Sequence, residues 1–172
     1  CSSDLELYDR IDTIYVENDK FSYTTSVDTI TSAYLLLKNR IEYPVFLDKG
    51  NKIKIKGDTI NLNFLTISGN IYNEEFTDFQ KALEDPADPS EKAGEETVDK
   101  RITVEKANTA EEMAEEFILQ HHSSYVSLYL LDKYFVQKET PDFSKIKKLV
   151  EVMTGVLQDK PYIERLNETI TQ

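Results

Sequence analysis

Cysteine occurs once in this 172-residue chain, at position 1, and histidine only twice, side by side at positions 121 and 122. A single thiol excludes an internal disulfide, a CxxC redox pair and a cysteine-rich metal site. Neighbouring residues on a helix point about 100 degrees apart, so His121 and His122 cannot chelate one ion together and read as a helix-end pair, one half-buried and one exposed. There is no GxSxG, no HExxH and no phosphate-cradling glycine loop. Basic residues are scarce as well, 20 against 32 acids for a net charge of -12. Such a field repels phosphate backbones, and the small face of Lys52, Lys54 and Lys56 does not reverse it, so no nucleic-acid partner is expected. Nor does any stretch approach the roughly 20 apolar residues of a membrane span.

What is present describes a folding chain. Hydrophobic residues make up 40%, with ten tyrosines and eight phenylalanines, enough to build a core at this length. Two regimes of periodicity meet near residue 70. Residues 1–70 read as antiparallel strands separated by turns, at Leu5 to Tyr8, Ile11 to Val16, Phe21 to Tyr23, Thr29 to Leu37, Tyr43 to Leu47, Lys52 to Lys56 and Leu62 to Ser68. The turn Glu17-Asn18-Asp19-Lys20 is expected to close one hairpin and Asp48-Lys49-Gly50-Asn51 another. Residues 71–172 read as helices. Asn73 is expected to cap the first, with Phe76, Phe79 and Leu83 on one face and an end near Glu84. A capping box at Thr109 and Glu112 opens the second, with Ala114, Phe117 and Ile118 in its stripe. Ser123 or Ser124 opens the third, with Val126, Leu130, Leu131 and Tyr134 inward. Thr140-Pro141 and Lys160-Pro161 open the last two, the former leading into Phe143, Ile146, Leu149, Val150, Met153, Val156 and Leu157. The fold class expected is α+β: an antiparallel sheet or sandwich followed by a helical layer, forming one cooperative unit.

Between the first two helices, residues 84–99 hold seven acids, one lysine, two prolines and a glycine. A calcium loop needs oxygen ligands at alternate positions, where this stretch has Pro86, Ala87 and Pro89, so it reads as a solvated loop and no metal or other cofactor is expected. Acidic pairs such as Glu95-Glu96 and Glu115-Glu116 have no recognisable catalytic setting. The tyrosines, interleaved with aliphatics, read as core and sheet-face residues. No catalytic residue is assigned, and the chain is expected not to be an enzyme.

Position 1 carries a different signal. A chain opening Cys-Ser-Ser-Asp resembles a mature bacterial lipoprotein, in which the cysteine left by signal cleavage is acylated; the alternative is an incidental residue. Cys1 is thus the lipidation candidate. The succession Asp12-Thr13-Ile14, Val16 to Tyr23, Pro44 to Asn51 with Ile53, Ile55, Gly57 and Asp58, then Ile67 to Asn70 and Asn73-Glu74 resembles an uncharacterised N-terminal domain. That domain belongs to cell-envelope lipoproteins related to the TlpA-like thiol-disulfide oxidoreductases of Gram-negative gut anaerobes. Glu116-Phe117-Ile118, His121 to Ser127 and Leu157 to Tyr162 resemble the segment that follows it. In those proteins another strand pair usually precedes the Asp-Thr-Ile segment, and a thioredoxin-like domain with CxxC follows; residues 1–172 contain no CxxC. The resemblance implies a non-catalytic, lipid-anchored module of the cell envelope, on the periplasmic or outer-membrane face, that accompanies or positions a thioredoxin-like domain in cis or in trans. Its membrane contact would be the lipid anchor at Cys1. The alternative is a stand-alone lipoprotein that binds a small molecule or glycan through tyrosines at strand ends.

Overall fold

The structure, a computed structural model, describes residues 10–38, 41–58, 64–84, 99–153, 157 and 160–171, with backbone alone for 99–108 and 171. It is α+β, with antiparallel strands first and helices after. Strands β1 (Thr31–Leu36) and β2 (Glu42–Leu47) form one two-stranded sheet, in which Thr31 pairs with Leu47 and Leu36 with Glu42. Strands β3 (Lys54–Gly57) and β4 (Leu65–Ser68) form a second, from Lys54 opposite Ser68 to Gly57 opposite Leu65. Helices α1 (Ile71–Glu84), α2 (Asp99–Gln120), α3 (Tyr125–Leu131), α4 (Phe143–Val152) and α5 (Pro161–Thr171) follow. A π-helical turn, Asp132–Val136, extends α3.

The expected hairpin at residues 48–51 is not formed as a hairpin. The turn itself is there: Asn51 N–H donates to Asp48 O at 3.2 Å, and Gly50 takes φ +76°. It carries the chain from one sheet to the other, because β2 pairs with β1 and β3 with β4. The free edge of β2 is taken by side chains. Asn73 accepts from Phe46 N–H at 2.9 Å and donates to Phe46 O at 2.8 Å, where Asn70 also donates at 2.8 Å. Pro44, two residues earlier, presents its backbone to the same edge, so its missing N–H removes no bond to β1. On β4, Thr77 Oγ1 accepts from Ile67 N–H and donates to Ile67 O, each at 3.0 Å, while the Tyr43 hydroxyl does the same for Leu65, at 3.2 and 2.8 Å. Strand edges that a neighbouring strand would otherwise satisfy are therefore closed by Tyr43, Asn73 and Thr77.

Other sequence expectations shift. Asn73 does not cap α1; Asn70 does, accepting from Asn73 N–H at 3.0 Å, and Asn73 is 1% exposed against Phe46. Gly69, just before the cap, has φ +114°, and a Cβ there would lie 2.3 Å from Lys52 O, so only glycine lets the end of β4 approach the start of β3 this closely. Thr109 lies inside α2, whose backbone begins ten residues earlier at Asp99; residues 99–108 contain no glycine or proline to stop it. Asp142, and not Thr140, caps α4, accepting from Lys145 N–H at 3.1 Å. Ser124 caps α3 and Pro161 opens α5, as the sequence indicates. Phe143, expected inward, is 46% exposed at the first position of α4.

Ile11 to Val16 and Phe21 to Tyr23 are not strands. The type I′ turn between them forms, with Asn18 and Asp19 at φ 51° and 59° and Glu17 and Lys20 exchanging both backbone bonds. Beyond that bridge no ladder develops among the described residues, since a two-stranded hairpin with nothing covering it gains too little burial to persist. The proposed strand Leu5 to Tyr8, most of the acidic loop (85–98) and Val156 lie outside the described residues.

One core serves both halves. Phe46 from β2, Ile67 from β4, Phe76 and Phe79 from α1, Ile118 from α2, Leu130 and Leu131 from α3, Ile146 from α4 and Ile163 from α5 belong to a single buried cluster. The stripes expected on α1 and α3 are thus in place, and the aromatic contacts Tyr43–Phe76 and Phe46–Phe76 tie the first sheet to α1 edge to face.

Candidate functional site

Tyrosines that the sequence scatters over four elements collect on one side of the molecule. Tyr34 of β1 lies 6.3 Å from Tyr129 of α3, centroid to centroid. Tyr129 also packs edge-on against Phe76 at 5.3 Å, and Tyr134 of the π turn against Phe79 at 6.3 Å. Tyr162 of α5 donates to Asp132 Oδ1 at 2.6 Å. The π turn sets this arrangement: Gln137 N–H reaches Asp132 O, five residues back, at 3.0 Å. The wider turn brings Tyr134 around toward the face that carries Tyr129, and such interruptions of a helix recur where side chains must be re-aimed. Between the two rings stands Lys133, its ammonium 5.8 Å from the Tyr129 centroid and 5.5 Å from that of Tyr134, within cation–π range.

The electrostatics of the cluster follow from burial. Desolvation raises the pKa of Tyr34, Tyr129, Tyr134 and Tyr162, with the bond to Asp132 adding to the shift of Tyr162 and neighbouring phenols to that of Tyr129. All four stay protonated at neutral pH, and Tyr162 is seen donating, to Asp132. Desolvation lowers the pKa of Lys133: its side chain reaches solvent, yet apolar neighbours crowd the ammonium and strip part of its hydration. The cluster thus presents polar tips on half-buried aromatic bodies.

Elsewhere, a concavity of about 260 Å³ lies between the start of α1 and the α2–α3 corner, lined by Ile71, Tyr72, Glu75 and residues 120–124. Ser124 Oγ donates to Glu75 Oε2 at 2.6 Å and accepts from Val126 N–H at 3.2 Å. His121, half-buried, stacks on Phe117 with centroids 4.1 Å apart, and its Nδ1 lies 3.2 Å from Phe117 O; His122 is exposed. The pair sits just past the end of α2, as its position in the sequence suggests. Ser124 thus faces a carboxylate while His121 is engaged with a backbone carbonyl, so hydroxyl and imidazole do not form a nucleophile–base pair. Among the described residues no three His, Cys, Asp or Glu side chains converge as a metal site, and no helix is long and apolar enough to cross a membrane.

Cys1, the lipidation candidate, lies outside the described residues. The phenol cluster escaped sequence reasoning because its members come from positions 34, 129, 134 and 162, and the only local signal was Tyr-Leu-Leu-Asp-Lys-Tyr at 129–134. No curated protein and no solved structure matches the chain. Residues 2–76, which include β1 to β4 and the first turns of α1, match the family described as a domain of unknown function (DUF4369), so an uncharacterised domain occupies the N-terminal part of this chain.

Proposed function

We propose that this chain is a non-catalytic module of the cell envelope, anchored by lipid at Cys1, that accompanies or positions a thioredoxin-like thiol-disulfide oxidoreductase in cis or in trans. One observation carries the reading: the residues behind the resemblance work together as scaffold. Phe46, Asn51, Asn70 and Asn73 belong to one hydrogen-bonded network that joins β2, the following turn and α1. A signature spent on holding elements together suits a domain retained for its shape and its surface, with the redox chemistry supplied by a partner. The single cysteine supports the same division of labour, since dithiol exchange needs two thiols.

The test is to express the native precursor in an envelope-competent host. Label from a palmitate analogue should attach to it, and Cys1→Ala should abolish the label and release the protein from membranes. Crosslinking of the anchored form should recover a protein bearing CxxC, or show CxxC further along the same polypeptide. Membrane partition unchanged by Cys1→Ala would end the anchor, and anchored protein with no CxxC neighbour would end the partnership.

The second reading is a lipoprotein that binds a small molecule or glycan. The face of Tyr129, Lys133 and Tyr134 is the observation that favours it.

A further inference from the structure

The far edge of β4 is sealed by Thr77 and Tyr43, which take the N–H and C=O of Ile67 and Leu65. In an antiparallel pair, residues directly opposite either bond to each other or both turn away. Ile55 and Gly57 stand opposite Ile67 and Leu65, so their backbone groups turn outward too, away from β4. Among the described residues no hydrogen bond reaches those groups, and no strand other than β4 lies beside β3. The outer edge of β3 is thus open, the kind of edge to which an extended peptide adds through main-chain hydrogen bonds.

The side chains of β3 select the strand that fits. Ile53 and Ile55 are half-buried and pack against the core from one face, while Lys52, Lys54 and Lys56 stand exposed on the other. Residues 49–56 hold four lysines and no acid in a chain of net charge -12, so this stretch is a basic island in an acidic field. An added strand sets each side chain beside the one opposite, on the same face. Acids at alternate positions would meet the lysines, and apolar residues between them would extend the layer of Ile53 and Ile55. Asp58 ends the row of lysines and limits how far the acids run. At that end the lysine face opens into a shallow concavity of about 450 Å³ lined by Lys56, Gly57, Asp58, Phe64 and Thr66, which leaves space for a flanking residue. A polyanion without peptide groups would leave Ile55 and Gly57 unbonded. A second copy pairing β3 with β3 would set lysine against lysine, which is how charged edges discourage their own kind. We infer that the outer edge of β3 accepts, antiparallel, a strand of a partner protein in which acidic and apolar residues alternate. This contact stands apart from the envelope reading, since it needs neither lipid nor thiol.

Fluorescence anisotropy on the full chain tests this with a labelled, end-blocked peptide, Thr-Glu-Val-Glu-Val-Glu-Thr. It should bind, and both its lysine counterpart and a peptide of the same composition with the three acids grouped should be about tenfold weaker or worse, the combined effect of three cross-strand ion pairs. Methylating the valine amide nitrogens, which face β3 in the antiparallel arrangement, should abolish binding, whereas methylating the glutamate amides, which face away, should not. Lys52→Glu, Lys54→Glu and Lys56→Glu together should reverse the preference toward the lysine peptide. These positions are exposed, and circular dichroism confirms that the variant is folded. Undiminished binding of the valine-methylated or grouped-acid peptide reduces the contact to charge adhesion and overturns the inference. So does the absence of binding, or a preference that the three substitutions leave unchanged. Self-association of the chain that the acidic peptide displaces would make the occupant a second copy and overturn it as well.

Discussion

At the scale of single residues, Asn73 shows how one side chain stands in for a strand. Its amide accepts Phe46 N–H and donates to Phe46 O, the pair of bonds a neighbouring strand would make, and it does so at 1% exposure, where water cannot substitute. Asn73→Ala should therefore cost about 1–3 kcal/mol, the desolvation penalty of leaving a buried backbone donor unpaired. Asn73→Asp should cost at least as much, because it keeps the acceptor but points a second carboxylate oxygen at Phe46 O. Thermal and denaturant unfolding measure both, and stability equal to wild type in either variant would mean that Asn70 alone holds the edge. The sequence could not assign this role. Asn70 and Asn73 are both good capping residues, and helical periodicity does not say which of them stands outside the first turn. The same ambiguity moved the cap of α4 from Thr140 to Asp142, since both precede an apolar stripe with equal plausibility.

At the scale of elements, β1, α3 with its π turn, and α5 meet through phenols, and this makes their docking sensitive to alkali. Burial pushes Tyr43 up to about 12 and raises Tyr34, Tyr129, Tyr134 and Tyr162 as well, whereas tyrosine in an unfolded chain ionises near pH 10. A raised folded-state pKa means that the unfolded chain releases protons which the native state retains. Stability from these groups is complete below about pH 10 and is lost as pH climbs through the folded values, toward about 12 for Tyr43. Lys133 acts oppositely, since its lowered pKa favours the folded state as pH rises toward the unfolded lysine value, but it is one group against five. The unfolding midpoint should be insensitive to these phenols from pH 7 to about 10 and fall steeply beyond, with phenolate absorbance appearing in step with loss of helical signal. A midpoint unchanged up to pH 12 would show that the phenols are not docked between elements. Periodicity revealed α1, α3 and α5 because their stripes are local. It missed strand partners, since Lys52 to Lys56 alternates equally well beside β2 or β4, and it missed the π turn, which has no sequence pattern of its own.

At the scale of the whole molecule, the question is how much of the chain one folding unit needs. The match to the uncharacterised domain ends at Phe76, two turns into a helix that continues to Glu84. Thr77, the next residue, closes the edge of β4 at Ile67, and Phe79 follows in the core against Phe117 of α2 at 5.8 Å. A fragment ending at Phe76 would lose these contacts and expose Phe46, Leu65 and Ile67, which are 0%, 4% and 1% exposed in the full chain. Uncovering packed side chains of this size costs about 2–5 kcal/mol each, and a domain's whole stability is about 5–15 kcal/mol. Residues 1–76 alone should therefore show no cooperative thermal transition by circular dichroism, while residues 1–172 unfold in one. The break in periodicity near residue 70 marks a change of element and leaves the core continuous, because α1 satisfies the strand edges with its polar residues and fills the core with its apolar ones. A sharp transition from 1–76 would mean that the strands carry a core of their own, and the helical layer would then be a separate unit docked onto it.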